Sequence, residues 1–184
     1  MNKGGAYEET AVLYRSNAQS RAIEEALLRI SIPYRIYGGL RFYERLEIKN
    51  AIAYLKIIFN NNDNPSFERS ISNPTRGVGE KTLGKIRQTA QKYNISYIKA
   101  SAKLIDEGSI SGRGGSGLRD YLEFVAGCKS FIEDNSLSDL MELIIKESGL
   151  YSYHAKEAGE KGKTRTENLE ELITATKNFE QSVK

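Results

Sequence analysis

The residues with the clearest chemical potential lie in one short segment, Asn73-Pro-Thr-Arg-Gly-Val-Gly-Glu-Lys-Thr82, between two stretches of helical periodicity. Glycines let a backbone approach a phosphate closely, and the helix that follows presents free N–H groups and a positive dipole end to that anion. The candidate contacts are Arg76, Gly77, Val78, Gly79, Lys81 and Thr82, with Lys85 near enough to assist. Such contacts bind the phosphate backbone without reading bases. The pattern is typical of a helix–hairpin–helix DNA-binding element, or of a plain glycine turn between packed helices.

A second candidate is the segment Tyr14-Arg-Ser-Asn-Ala-Gln-Ser-Arg21. It places guanidinium, amide and hydroxyl groups where a predicted strand ends and a helix begins, and ligands of α/β sheets bind outside the carboxyl ends of strands. Arg15 and Asn17 could therefore hold a nucleic-acid phosphate. The alternative is that Asn17 only caps the helix and that Arg15 is an ordinary surface residue.

Motifs for independent catalysis are absent from the sequence. There is no GxxxxGK[ST] loop and no His, Cys and carboxylate cluster with metal-ligand spacing. Cys128 stands at helical spacing with Val125 and Phe131, which predicts a small core residue, and His154 lies in a polar stretch that predicts a surface imidazole. The sequence therefore predicts no catalytic residue, no metal ligand and no cofactor in this chain.

Charge is distributed unevenly along a chain of 184 residues with a net charge of only +3. Residues 69–92 hold six Lys or Arg and one Glu, whereas residues 120–147 hold seven Asp or Glu and two Lys. This division predicts a basic side and an acidic side, although two ordinary solvated faces would look the same. No apolar run approaches the length of a membrane helix and no signal peptide is visible, so we expect a cytoplasmic protein with no membrane partner.

The elements that must position these groups change character near residue 38. Before it, Thr10–Arg15 and Tyr34–Tyr37 read as short strands around a helix from Ala18 to Ile30, whose apolar positions are Ala22, Ile23, Ala26, Leu27 and Ile30. After it, helical periodicity continues to the end. The sequence predicts a mainly α fold preceded by a small α/β fragment, with domains at 1–38 and 39–184.

Within the helical part, several local features are specific enough to be tested. A helix is predicted from Glu44 to Phe59, and the glycine- and serine-rich residues 108–117 predict a flexible surface loop. Two further helices are predicted to open with the capping-box pairs Ser136 with Asp139 and Thr164 with Glu167, and Gly149 is predicted to end the first of them.

The run AVLYRSNAQSRAIEEALLRISIPYRIYGGLRFYERLEIKNAIAYLK, followed in order by the Gly-Val-Gly turn and by TRTENLEELITATKNFE, resembles the UvrD/PcrA/Rep-like superfamily 1 DNA helicases. The resemblance implies that residues 1–38 belong to the RecA-like motor domain 2A and residues 39–184 to the helical domain 2B, which carries a helix–hairpin–helix element. Family members move 3′ to 5′ along single-stranded DNA and unwind duplex with ATP and Mg²⁺.

Carried over to this chain, the resemblance implies that Arg15 and Asn17 contact single-stranded DNA. It also implies that Gly77-Val78-Gly79 contacts duplex DNA, with Lys81 and Thr82. The ATPase motifs of the family are missing, and Asn50 stands where an Asp is expected. We therefore expect an inactive, DNA-binding and regulatory part of a repair or replication helicase. Its partners would be a single-strand/duplex junction, the rest of the motor and possible repair or replication proteins.

The alternative is a module that docks proteins or regulates the motor with little DNA affinity of its own. A separate expectation concerns packing: residues before Gly38 should either pack back on the helical body or associate between chains, because one or two strands are not stable alone.

Overall fold

The computed structural model describes residue 7 and residues 10–15, 19–36 and 41–183. Regular structure in the described part is helical, as predicted, and consists of a short 3₁₀ turn at Phe42–Glu44 and nine α-helices. The helices are α1 Ser20–Arg29, α2 Leu46–Phe59, α3 Asn64–Ser72, α4 Glu80–Tyr93, α5 Tyr97–Asp106, α6 Gly112–Asp134, α7 Leu137–Glu147, α8 Leu150–Ala155 and α9 Glu160–Val183. None of the helices within these ranges is long and apolar enough to cross a membrane.

Two segments predicted as strands form no strand in their described parts. Residues 10–14 and 32–36 have no regular secondary structure, and Arg15 lies in a bend. A strand is held by hydrogen bonds to a neighbouring strand, and the described residues supply no such neighbour. The apolar, β-prone composition of these segments is therefore not enough to form a sheet here.

Helix α2 lies at the centre of the molecule and packs against α3, α6, α7 and α9. Its fully buried side chains include Ile48, Tyr54 and Ile57, each at 0% exposure. Tyr54 also donates a hydrogen bond to the backbone oxygen of Ser70 at 2.6 Å and thereby ties α2 to the end of α3. The helix predicted from Glu44 to Phe59 is confirmed with a start two residues later, and its last residue, Phe59, is 60% exposed.

The glycine-rich residues 108–117 are not the predicted surface loop, because α6 begins at Gly112 and contains four of the glycines. The reason is packing. A Cβ on Gly115 would stand 2.8 Å from the backbone oxygen of Ile110, so that position requires a residue without a side chain. These glycines allow a helix to lie close to backbone, and the prediction of a flexible loop from them is wrong.

One of the two predicted capping boxes is present. Ser136 and Asp139 cap α7 reciprocally, and the glycine that follows α7, Gly149, has φ +85°, as predicted for a helix end. The pair Thr164 and Glu167 is wrong as a cap, because α9 already begins at Glu160 and both residues lie inside it. A capping pattern in the middle of a good helical sequence carries no information about where that helix starts.

Helix α1 turns its polar side towards the protein. Ser20, Arg21 and Glu24 are buried, at 1%, 4% and 7% exposure, whereas none of the predicted apolar positions is buried. Arg21 pairs with Glu171 of α9 at 2.6 Å, and Glu24 accepts a hydrogen bond from the backbone N–H of Phe42 at 3.3 Å. Helix α1 therefore packs back on the helical body, which is one of the two expectations, and it does so through polar contacts and ion pairs.

A chain of buried polar groups continues this junction. Arg45 donates to Ser20 Oγ at 2.7 Å and to Asn168 Oδ1 at 2.8 Å. Asn168 in turn donates to Glu47 at 2.7 Å, and Arg165 lies 3.7 Å from the other oxygen of Glu47. The chain joins α1, the start of α2 and α9, so the relative placement of these helices depends on directional hydrogen bonds as well as on apolar contact.

The two single-copy residues behave differently from each other. Cys128 is a buried core residue, as predicted, and burial raises the pKa of its thiol to about 11. The prediction of a surface imidazole at His154 is wrong, since the side chain is 1% exposed and its Nδ1 lies 2.6 Å from Glu157 Oε1. Helix α8 packs against α9, which covers His154 although its sequence neighbours are polar.

Candidate nucleic-acid interface

The glycine turn lies between α3 and α4, as its sequence predicts, and leads directly into the N-terminus of α4. Gly79 is the N-cap, has φ −93° and ψ 179°, and makes no side-chain capping bond. The first N–H groups of an α-helix have no acceptor within the helix. Those of Glu80 and Lys81 are therefore available to an anion at this helix end.

The orientation of the turn follows from how α6 packs beneath it. A Cβ on Gly117 would stand 1.9 Å from the backbone oxygen of Arg76, and one on Gly114 would stand 3.1 Å from that of Gly77. Both carbonyls therefore face α6. In a planar trans peptide the N–H points away from the C=O, so the N–H groups of Gly77 and Val78 point away from α6. They have no hydrogen-bond acceptor among the described residues.

The two glycines of the turn differ in what they require. Gly77 has φ +73°, and a Cβ there would meet Arg113 Cγ at 2.8 Å, so both the conformation and the space favour glycine. At Gly79 φ is negative, and an added Cβ would meet nothing within 4 Å. Folding does not explain the glycine at position 79, where the open space would admit a ligand atom.

Arg76 differs from the other candidates because its guanidinium is bound within the protein. It donates to the backbone oxygens of Pro74 at 3.0 Å and Ser148 at 2.8 Å. The guanidinium carbon also lies 5.5 Å and 5.6 Å from the ring centres of Tyr54 and Tyr121. The geometry gives Arg76 the role of fixing the turn to the core, and its donors are not free to hold a phosphate.

The side chains on the first turns of α4 have different degrees of freedom. Lys81 is exposed, Thr82 is half-buried, and Lys85 donates to the backbone oxygen of Ser109 at 2.9 Å. The carboxylate of Glu80, which would repel an anion here, pairs with Arg87. Because Arg87 also bonds Glu68 through two nitrogens, at 2.6 and 2.8 Å, the two carboxylates raise its pKa.

The predicted basic side offers less free positive charge than the number of its basic residues suggests. Of the six basic residues in 69–92, Arg76 and Arg87 are bound within the fold as described, and Arg69 donates to Asn50 Oδ1 at 3.2 Å. Lys81 remains exposed beside the turn. The positive charge offered to a ligand at this site is therefore small, and backbone N–H groups are its main donors.

The second candidate segment is only partly described. Arg15 is exposed, and its backbone N–H donates to the side-chain oxygen of Gln19 at 3.1 Å. Asn17, the predicted cap and contact, lies outside the described residues, and Gln19 is the residue that precedes α1. No described contact joins Arg15 to the turn at Gly77, so the structure does not bring the two candidate sites together.

Sequence reasoning missed Arg113, which comes from the first turn of α6 and lies against Gly77. The prediction of a flexible loop at residues 108–117 gave no reason to expect Arg113 beside the turn. Gly114 and Gly117, spaced three apart ahead of an apolar stripe, were the available signal that this segment packs closely as a helix.

Within the described ranges there is no group of three or more His, Cys, Asp or Glu that could hold a metal ion.

Comparison with known proteins places these features in a wider context. A family model described as the UvrD-like helicase C-terminal domain matches residues 1–110. DNA helicase II of Escherichia coli (strain K12) is 48% identical over 178 residues, which cover 97% of this chain and 25% of that protein. The ATP-dependent DNA helicase PcrA of Leuconostoc citreum is 38% identical over 175 residues, covering 95% of this chain and 23% of that protein.

A similar match is found with PcrA of Bacillus subtilis (strain 168), which is 35% identical over 173 residues, or 94% of this chain and 23% of that protein. The chain thus spans about a quarter of the length of these relatives.

Proposed function

The chain belongs to the UvrD-like helicase C-terminal domain family, and we propose that it is the DNA-engaging, regulatory part of an ATP-dependent 3′–5′ DNA helicase in repair or replication. Its own task in this proposal is to hold the phosphate backbone of DNA at the turn between α3 and α4. Gly77, Val78, Gly79, Lys81 and Thr82 form that contact, at a single-strand/duplex junction. Arg76 holds the turn against the core through its hydrogen bonds to Pro74 and Ser148.

The observation that carries this proposal is the direction of the backbone donors. Packing of α6 on the carbonyls of Arg76 and Gly77 leaves the N–H groups of Gly77 and Val78 facing outward, next to the N-terminus of α4. Several N–H groups beside a helix N-terminus are a general solution for binding phosphate. Contacts of this kind do not read base sequence, which suits a protein that must act at any position on DNA.

ATP and Mg²⁺ belong, in this proposal, to the whole helicase. The residues of this chain do not fit a nucleotide site, because the sequence has no phosphate-binding GxxxxGK[ST] loop. Hydrolysis would therefore be carried out by the other three quarters of a protein the length of the relatives. The chain's own residues would bind and orient DNA relative to that motor.

Contact with the rest of the motor is assigned to exposed apolar residues of 10–15 and 19–30, in the proposed domain 1–38. Leu13, Leu28 and Ile30 are exposed by 93%, 61% and 63%. In this proposal the rest of the motor covers these exposed apolar side chains. Since the inward side of α1 is bound to α9 by Arg21, α1 would connect the motor to the helical domain 39–184.

A second candidate function, docking of a protein partner, is favoured by an open depression of about 420 Å³ beside α7. Its lining combines apolar side chains with a majority of acidic charges: Phe131, Asn135, Asp139, Glu142, Leu143, Lys146 and Glu147. A basic segment with an apolar anchor would suit it. In this reading the chain binds a protein and has little DNA affinity.

Fluorescence anisotropy with a duplex bearing a 3′ single-stranded tail separates the two functions. We compare the chain with Lys81→Gln, at the proposed contact, and Lys92→Gln, which removes the same charge at the other end of α4. Loss of one phosphate contact lowers the slope of log affinity against log salt by about 0.9. The proposal requires this change for Lys81→Gln alone. Absence of binding at low salt, or identical behaviour of the two variants, would contradict it.

A further inference from the structure

Arg113 lies against the turn although it belongs to α6. The position that a Cβ on Gly77 would take stands 2.8 Å from Arg113 Cγ, 3.3 Å from its Cδ and 3.4 Å from its Nε. The space beside Gly77 is therefore filled by the aliphatic stem of this arginine. Glycine at position 77 thus allows both the positive φ of the turn and the close contact between the turn and α6.

The charged end of Arg113 is used differently from those of nearby arginines. Arg76 donates hydrogen bonds to backbone carbonyls, and Arg87 donates to carboxylates of the protein. Arg113 is exposed and has no hydrogen bond or ion pair to any described residue. Packing of its stem restricts the side chain before any ligand arrives, so binding by its guanidinium costs less conformational entropy than binding by a freely rotating side chain.

We propose that Arg113 is a phosphate-binding residue of the turn, supplied by α6 and positioned by Gly77; this rests on the function proposed above. Its guanidinium adds a planar, permanently charged pair of donors to a site whose other donors are mostly backbone N–H groups. That geometry matches two oxygens of one phosphate, which a lysine cannot reproduce. The DNA contact would thus be made by two segments distant in sequence, the α3–α4 turn and the first turn of α6.

The test uses the same anisotropy titration with Arg113→Gln, Arg113→Lys and the matched control Arg119→Gln. Arg119 is also exposed and on α6, on another face of the helix, so its loss changes the net charge equally. For Arg113→Gln we expect the salt slope to fall by about 0.9, so that raising salt fourfold weakens its binding about 3.5-fold less than that of the unaltered chain. Arg113→Lys should keep the slope and bind more weakly at every salt concentration, because it retains charge without the paired donors.

The outcomes distinguish this inference from the function on which it rests. If Lys81→Gln lowers the slope while Arg113→Gln behaves as Arg119→Gln, the turn binds DNA and Arg113 does not contribute. Equal affinities for Arg113→Lys and the unaltered chain would refute paired hydrogen bonding by the guanidinium. If the unaltered chain fails to bind, both proposals fall. Circular dichroism of each variant checks that exposed substitutions have left the fold intact.

Discussion

At the scale of single residues, the two glycines of the turn allow folding to be separated from binding. Gly77→Ala forces a residue with a side chain to φ +73° and against Arg113, so we expect a loss of stability of about 1–2 kcal/mol. Gly79→Ala meets neither obstacle, and its free energy of unfolding should stay within about 0.5 kcal/mol of the unaltered chain. Urea unfolding of both variants measures this difference.

For Gly79→Ala we expect an effect on DNA binding although the stability is unchanged. Its methyl group would enter the open space beside the N-terminus of α4, so Gly79→Ala should weaken binding while the fold remains stable. Unchanged DNA affinity in Gly79→Ala would mean that no phosphate approaches this position closely.

Arg76 illustrates the opposite case, a cation that looks available in the sequence and is bound in the fold. Replacing it with Ala leaves the carbonyls of Pro74 and Ser148 without their donor and removes the cation from between two tyrosine rings. We expect a loss of about 2–3 kcal/mol in urea unfolding, since an unsatisfied buried polar group has a cost of this size.

The salt slope of DNA binding by Arg76→Ala gives a second, independent measure. A positioning role leaves the number of phosphate contacts unchanged, so affinity falls while the slope stays the same. A slope lowered as far as in Lys81→Gln would show that Arg76 itself touches phosphate. Arg119→Ala, on an exposed face of α6, is the control for loss of an arginine.

At the scale of helices, what the sequence could predict depended on whether the signal was local. The core position of Cys128 and the α7 capping box were predicted correctly, because each is a pattern within one helix. The side of α1 that packs inward was not predicted, since Arg21 packs against Glu171, a partner 150 positions away. The prediction of a loop at residues 108–117 failed for a similar reason, since Gly114 and Gly117 contact backbone of the distant α3–α4 turn.

The contact between Arg21 and Glu171 gives a prediction about the stability of one helix. Glu171→Gln removes one of the two carboxylates that pair with the nearly buried guanidinium of Arg21, the other being Glu25 within α1, so α1 should detach from α9 more often. Hydrogen exchange followed by mass spectrometry should show faster exchange in residues 20–29 and little change in α2. The control is Glu170→Gln, whose carboxylate accepts from Tyr151 at 3.0 Å and has no contact with α1. Equal exchange of α1 in both variants would show that apolar contacts, not this pair, hold the helix.

At the scale of the whole molecule, α1 is bound to the helical body through its first turns and carries exposed apolar residues at its C-terminal end. The polar chain through Arg45 and Asn168 joins its start to α9. At the other end, Leu28 and, just after the helix, Ile30 remain more than half exposed. An element attached at one end and exposed at the other can transmit a change of position between two bodies, which is what the proposed link between motor and DNA-holding domain requires.

Substitutions at the exposed C-terminal end of α1 should therefore have different effects in this chain and in a full-length helicase the size of the relatives. Replacing Leu28 and Ile30 with Ser removes little buried area here, because they are 61% and 63% exposed, so the melting temperature of the chain should hardly change. In the full-length protein the same substitutions should lower the melting temperature, since side chains covered by the motor lose about 1.5–3 kcal/mol each when removed from an apolar contact. Phe59→Ser, at a comparably exposed site on α2, should have no effect in either protein. If the full-length protein tolerates these substitutions as well as the isolated chain does, then Leu28 and Ile30 do not contact the motor, and α1 belongs to the helical body alone.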